Sequence, residues 1–313
     1  MEKIDLSFVI PIKDEEGTLG ELYEKIINNV PSNFSFEIIF IDDGSSDRSF
    51  EILKDIHNKD KRVKLIRFRR NFGKASALSS GFQRAKGDII ITMDGDLQDD
   101  PNEIPKFIEK IKEGYDLVSG WKKERKDPIT KKIPSKIFNK LASFFTGVDI
   151  HDFNCGYKAY RREVIENLEI YGELYRYIPA LANSKGFKIT EIPVEHHERK
   201  YGKSKYGWER IIKGFLDLIT VIFLTRFLKR PMHFFGGIGI LFLSIGFIIN
   251  LSLVIYKFST GALIGTRPLL TLGVLLMIVG VQFLSIGLVG EMLSNLTYER
   301  RKEFLISEEI GFE

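Results

Sequence analysis

Residues 91–101, ITMDGDLQDDP, place Asp94, Asp96, Asp99 and Asp100 within seven residues at the end of an apolar run. Carboxylates packed this closely repel one another unless positive charge lies between them. A solvated, helix-capping turn is one account, because Pro101 opens a helical segment. A divalent cation is the other. Hard carboxylate oxygens suit Mg²⁺ or Mn²⁺, which take few protein ligands and complete their shells with phosphate oxygens and water. Such an ion at a D-x-D pair would neutralise a diphosphate as it leaves. A calcium loop starting at Asp94 fails, since its sixth and twelfth positions are Asp99 and Pro105 rather than Gly and Glu.

The elements that must position these acids alternate. Apolar runs predict strands at Leu6–Ile12, Phe36–Ile41, Val63–Phe68, Asp88–Met93 and Tyr115–Gly120. Helical-period segments lie between them, near 16–29, 46–58, 73–86 and 102–113. Continuous apolar strands alternating with helices imply an α/β domain with a mostly parallel sheet covered on both faces. Ligands of such sheets bind beyond the carboxyl ends of the strands. Glu15 follows the first strand, Asp42 and Asp43 end the second, and Asp94 and Asp96 end the fourth. Three strands thus deliver carboxylates to one rim. PIKDEEGTLG after the first strand lacks the G-x-G-x-x-G of dinucleotide sites, and no P-loop motif occurs anywhere.

The chain of 313 residues carries 46 basic and 42 acidic side chains, so its net charge of +4 says less than the distribution. Residues 61–74 hold seven Lys/Arg and no acid; 122–140 hold eight basic and two acidic, and 198–213 six and two. Such runs suit phosphate, nucleic acid or anionic lipid. No nucleic-acid module accompanies them. The lone Cys155 excludes an intrachain disulfide and fits a reducing compartment. MEKIDLSFVIPIKDEE has too short and too charged an apolar run for an export signal.

Residues 234–256 and 268–290 carry no charge and are each long enough to cross a bilayer as a helix. The short segment between them makes them an antiparallel hairpin. Arg226, Lys229 and Arg230 precede the first and Arg300, Arg301 and Lys302 follow the second, against Lys257 and Arg267 between. The positive-inside bias therefore predicts a two-span cell-membrane protein with its N-terminal domain and both termini cytoplasmic. The expected division is a catalytic domain over 1–206, a juxtamembrane amphipathic helix over 207–230, the hairpin over 231–292 and a cytosolic tail over 293–313. Ile133, Ile137, Phe138, Leu141, Phe144 and Phe145 recur at helical spacing beside Lys136 and Lys140, as in a helix lying on a lipid surface.

Together, VIPIKDEEGTL, IDDGSSD, RNFGK and MDGDLQDDP resemble family 2 glycosyltransferases of the GT-A fold, within the branch that glycosylates polyprenyl phosphates such as dolichyl or undecaprenyl phosphate. Pro11 and Glu15 match the family's opening V-P-x-Y-N-E-E, while Lys13 and Asp14 replace its Tyr and Asn. The resemblance implies an inverting, metal-dependent transfer of a hexose from a nucleotide-diphosphate sugar, of UDP-glucose or GDP-mannose type, to a membrane polyprenyl phosphate. It implies that Pro11, Ile12, Glu15, Asp42, Lys74, Asp94, Gly95, Asp96, Arg199 and Lys205 hold the nucleotide sugar, with Asp42 accepting from the base. Asp94, Asp96 and Gln98 would bind Mg²⁺ or Mn²⁺. Lys122, Arg125, Lys131, Lys132 and Ser135 would surround the acceptor phosphate, and Asp96 and Asp152 would be the catalytic acids. ERKYGKSKYG matches a loop that closes on the diphosphate, with Lys203 and Ser204 as further candidates.

Other functions fit less. His151 and Cys155 lie four apart, but no second ligand pair completes a zinc site, and on a strand the adjacent His196 and His197 point to opposite faces. A processive polysaccharide synthase would bring a Q-x-x-R-W element and more spans. A non-catalytic nucleotide-sugar scaffold would not keep Asp94, Asp96 and Gln98 intact. The sequence leaves the sugar, the base and the oligomeric state, a homo-oligomer included, open.

Overall fold

The apolar runs form strands where the alternation places them. In the computed structural model, which describes residues 3–123, 139–168, 174–197, 209–228, 230–261, 263–265 and 267–298, β1 spans Leu6–Ile12, β2 Phe36–Asp42, β3 Val63–Arg67, β4 Ile89–Thr92 and β5 Leu117–Trp121. The intervening helices are α1 (Leu19–Asn29), α2 (Ser49–Lys59), α3 (Lys74–Phe82) and α4 (Ile104–Lys112). A 3₁₀ turn over Pro101–Glu103 precedes α4, and the Asp100 side chain caps it by accepting from the Asn102 N–H. After residues 139–146, which are helical (α5), come β6 (Lys158–Arg161), α6 (Arg162–Glu166), α7 (Ile178–Ser184) and β7 (Ile189–Pro193).

The seven strands make one sheet in the order β3-β2-β1-β4-β6-β5-β7, with β6 antiparallel to both neighbours and every other pair parallel. Neither β6 nor β7 stands out in the sequence: KAYR is only four residues long, and ITEIP is half-exposed. One face of the sheet carries the core of Leu6, Phe8, Ile10, Ile38 and Phe40, onto which α1 turns Leu19, Leu22 and Ile26 and α4 turns Ile104, Phe107, Ile108 and Ile111. Their spacings of three, four and seven are those of one helical face. The parallel register sets Ile12 beside Asp42, so the carboxyl ends of β1, β2 and β4 share one edge.

Residues through Val221 form one compact unit and those from Ile222 a second. The boundary falls at the last residue of α8 (Glu209–Ile222). The second holds a π-helical turn (Phe223–Phe227), α9 (Pro231–Thr260) and α10 (Pro268–Tyr298). Both long helices outrun the charge-free segments, since a helix does not stop where its composition turns polar. Their most apolar windows have mean hydropathies of 2.6 and 2.4 yet are only 17% buried. A soluble core hairpin would bury such windows; this one needs apolar surroundings. The two helices touch through glycines: a Cβ on Gly239 would lie 2.8 Å from the Gly280 carbonyl oxygen, and one on Gly246 2.5 Å from that of Gly273. Small residues of this kind let backbones meet where no hydrophobic effect drives association. Polar bonds tie the ends, with the Met232 N–H donating to Glu291 (3.2 Å) and Ser294 Oγ to the Leu228 carbonyl (2.9 Å).

Candidate active site

Two loops at the carboxyl edge of the sheet are laced together by their own side chains. Between β1 and α1, Asp14 takes a left-handed conformation (φ +56°), one that Asp and Asn tolerate better than other side chains. The family's Asn at this position is therefore replaced by a residue with the same backbone freedom. Asp14 donates its N–H to Ser45 Oγ (2.9 Å), and its carboxylate accepts from the Ser46 N–H (2.8 Å). Glu15 N–H donates to Ser49 Oγ (2.9 Å), and Arg48 N–H to the Glu16 carboxylate (3.0 Å).

Asp42 ends β2 with no exposed surface. Its Oδ1 accepts from the Ser45 N–H (2.8 Å), while Oδ2 lies 3.1 Å from Arg67 Nε and accepts no aligned hydrogen bond among the described residues. Beside it is a shallow recess of about 290 Å³ lined by Gly44, Ser45, Arg67, Phe68 and Arg69. Asp43 clamps the next segment, accepting from the N–H groups of Phe72 (2.6 Å) and Gly73 (3.0 Å), so that Lys74 enters α3 at a fixed place. Pro11 and Glu15 are half-buried and Ile12 is buried at the same edge.

The acidic loop after β4 contains its own cations. Lys74 pairs with Asp94, Lys122 with Asp99 (3.0 Å), and His197 Nε2 lies 2.9 Å from Asp100. Backbone N–H groups take up more of the charge: that of Asp94 donates to Asp99 (3.2 Å) and that of Gln98 to Asp96 (3.2 Å). Thr18 Oγ1 anchors the loop to α1 by donating to the Gly95 carbonyl (2.7 Å), and Leu97 turns it through φ +60°. Burial works against ionisation of Asp94, but the Lys74 and Lys122 ammonium groups outweigh it and hold the carboxyl below the usual range. Burial likewise disfavours the charge on Lys122, and Asp99 reverses this, so that lysine's pKa is raised.

The turn before β6 closes the site from the other side. Lys158, 3% exposed, donates to the carbonyls of Cys155 and Phe153 (3.4 Å), and burial lowers its pKa. Asp152 is buried on this turn and accepts from the Asn154 N–H (3.0 Å). Burial pushes the Cys155 thiol up to about 12, which keeps it inert. Gly156 faces the Lys74–Asp94 pair so closely that a Cβ would stand 2.9 Å from both Asp94 Oδ1 and Lys74 Nζ.

The structure thus brings Lys74, Asp94, Gly95, Asp96, Gln98 and Lys122 into one acidic loop and its partners, with Asp42 and its recess on the β2 side. Lys122, expected on an acceptor phosphate, has its ammonium engaged by Asp99. Arg125, Lys131, Lys132, Ser135, Arg199, Lys203, Ser204 and Lys205 lie outside the described residues. Three contributors escaped sequence analysis: Lys158, Gly156 and the His196–His197 pair. Both histidines meet the acidic loop, His196 Nε2 lying 3.5 Å from Gln98 Nε2 and His197 Nε2 2.9 Å from Asp100, where Glu195 also offers an oxygen. Their alternation was legible; their antiparallel bridge to Asp99 was not.

The carboxylate oxygens of Asp94 and Asp96 are of the hard type that suits Mg²⁺ or Mn²⁺, and the Lys74 ammonium already stands at Asp94 as a cation would. The residues fit such an ion.

The sequence profile of glycosyl transferase family 2 matches residues 7–169, the span from β1 to just beyond α6. The chain belongs to this family. Dodecaprenyl-phosphate galacturonate synthase of Rhizobium johnstonii is 38% identical over 95% of this chain and 90% of its own length. Undecaprenyl-phosphate 4-deoxy-4-formamido-L-arabinose transferase of Proteus mirabilis is 34% identical over 99% and 95%. Among solved structures, glucosyl-3-phosphoglycerate synthase of Mycobacterium tuberculosis, in complex with Mn²⁺, UDP and phosphoglyceric acid, superposes with a TM-score of 0.53 over 71% of this chain and 78% of that one, at 17% identity. At that identity the likeness shows the family 2 fold alone, and it confirms the GT-A architecture expected from the motifs. The family's fold accounts for the first unit; both relatives also span the two apolar helices.

Proposed function

We propose that this family 2 glycosyltransferase moves a sugar from a nucleotide diphosphate to a membrane polyprenyl phosphate, with inversion at the anomeric carbon. The observation that carries this is the 38% identity, over nearly the whole chain, to a protein named dodecaprenyl-phosphate galacturonate synthase, and an acidic rim that a divalent cation would join to a diphosphate supports it. Asp42, beside its recess and paired with Arg67, would receive the base; Glu15 and Pro11 would flank the nucleoside. Asp94, Asp96 and Gln98 would hold Mg²⁺ or Mn²⁺, which when bound supplies positive charge against the departing diphosphate.

A phosphate monoester has its second pKa near about 6 and is mostly a dianion at neutral pH. The acceptor oxygen is therefore nucleophilic without a strong general base. The protein's task is to position two anionic groups and offset their repulsion. Lys74 would serve the donor side, and Arg125, Lys131, Lys132 and Ser135 the acceptor side, with Arg199 and Lys205 closing over the diphosphate. Asp152, buried in its turn, would orient the acceptor rather than take a proton. The exposed Leu216 and Ile219 of α8, and Leu141, Phe144 and Phe145 of α5, support contact with a lipid surface at 207–230 and ahead of β6.

The decisive experiment incubates purified full-length protein and a polyprenyl phosphate with labelled UDP-glucose, GDP-mannose and the galacturonate and 4-formamido-arabinose nucleotides. One of them should yield a lipid-linked sugar; transfer only to water or to a growing polymer would refute the proposal. Replacing Lys131 and Lys132 together by Ala should raise KM for polyprenyl phosphate about tenfold, equivalent to about 1.4 kcal/mol, and leave KM for the donor nearly unchanged. The opposite split would misplace the acceptor. Charge flanks support cytoplasmic termini, so an impermeant thiol reagent outside intact cells should label Leu263→Cys. Cys155, 1% exposed, gives little background. External labelling of Ile310→Cys would overturn that orientation.

A further inference from the structure

The two lysines paired with the acidic loop are not equivalent. Lys122 and Asp99 are closed off, with side chains 11% and 1% exposed, whereas Lys74 and Asp94 remain 27% and 34% open. Asp99 is committed further by accepting the Asp94 N–H, so the Lys122–Asp99 pair belongs to the loop's framework. Lys74 differs: its backbone is fixed by the Asp43 clamp, but its chain is long, and its ammonium lies 5.5 Å from the centre of the Tyr175 ring as well as on Asp94. An aromatic face is a second resting place for an ammonium group. Gly156 leaves the Lys74–Asp94 pair uncovered by a side chain of its own.

We propose that Lys74 is the resident counter-ion of Asp94, displaced when a divalent cation takes that carboxylate, and that its freed ammonium then turns to the donor diphosphate. This rests on the assignment of the metal to Asp94 and Asp96 made above. Two anions, the Asp94 carboxylate and the diphosphate, then share one ammonium in turn. Metal alone binds against the Lys74–Asp94 pair. Metal with nucleotide binds more tightly, because the diphosphate accepts what the metal ejects. The coupling is reciprocal, as linkage requires.

Mn²⁺ titrations of the full-length protein in detergent, read by the electron paramagnetic resonance of free Mn²⁺, test this without turnover. They are made with and without UDP or GDP, whichever the wild type binds more tightly. Lys74→Met should bind Mn²⁺ alone about tenfold more tightly than the wild type, and the gain on adding nucleotide should shrink by a similar factor. Lys74→Gln should do the same, giving a second neutral variant should the first fail to fold. Lys74→Arg should stay near the wild type. Unchanged or weaker Mn²⁺ binding in folded Lys74→Met or Lys74→Gln overturns the role of Lys74. Retention of Mn²⁺ binding in Asp96→Asn overturns instead the metal assignment beneath it.

Discussion

Asp96→Ala should lower turnover about a thousandfold while the protein melts near the wild-type temperature. Removing a single preorganised group that stabilises developing charge costs about 10²–10³ in rate, and Asp96 is expected to act through a cation that also orients the diphosphate. The residue is 5% exposed in the loop after β4, beside the buried Leu97, so its removal from solvent is already built into the fold. Its described backbone partner is the Gln98 N–H, at 3.2 Å. Asp96→Asn keeps an acceptor for that N–H and separates the charge from the hydrogen bond: it should lose activity nearly as fully as Asp96→Ala. Single-turnover transfer from a labelled nucleotide sugar measures the effect. Near wild-type rates in either variant, or full activity in EDTA, would exclude a metal role for this residue.

Gly156→Ala is the second large effect, and it comes from the smallest change of volume a side chain allows. The new methyl would meet Asp94 Oδ1 and Lys74 Nζ at 2.9 Å, closer than carbon and a polar atom rest. Either the Lys74–Asp94 pair or the turn must move by a few tenths of an ångström or more, and misplacement on the scale of 1 Å can cost about 10²-fold in rate. The Gly156 carbonyl also accepts from Thr92 Oγ1 (2.8 Å), which keeps the turn from retreating. The expectation is about a hundredfold fall in kcat with a modest change in melting temperature. A variant with wild-type kcat would show that the Asp94 side chain yields freely and that its observed position is not needed.

What the sequence revealed followed from local pattern. Leu6–Ile12 is a strand with the bounds its apolar run implies, and the acids at the ends of β1, β2 and β4 share a rim because parallel strands fed by right-handed crossovers leave no alternative. What stayed hidden was set by pairing between distant segments. KAYR carries no periodicity, yet β6 runs between β4 and β5 and delivers Lys158 and the Gly156 turn to the site. The opening question about Asp94–Asp100 had two answers, solvent or a metal. The structure adds another, since Lys74, Lys122 and His197 come from 20, 23 and 97 residues away along the chain in their pairs with Asp94, Asp99 and Asp100. Charge runs at 61–74 and 122–140 gave no sign that one member of each turns inward.

The glycine contacts of the hairpin bear on what happens to the product. At Gly239–Gly280 and Gly246–Gly273 the two backbones approach until even a methyl group would strike a carbonyl oxygen. At these two levels, among the described residues, the helices leave no room between them for an acyl or isoprenoid chain. The outer surface of the hairpin, where Phe247, Ile248, Leu251 and Ile255 are exposed, is the apolar surface open to an isoprenoid. The glycosylated lipid can then diffuse away sideways in the leaflet where it was made.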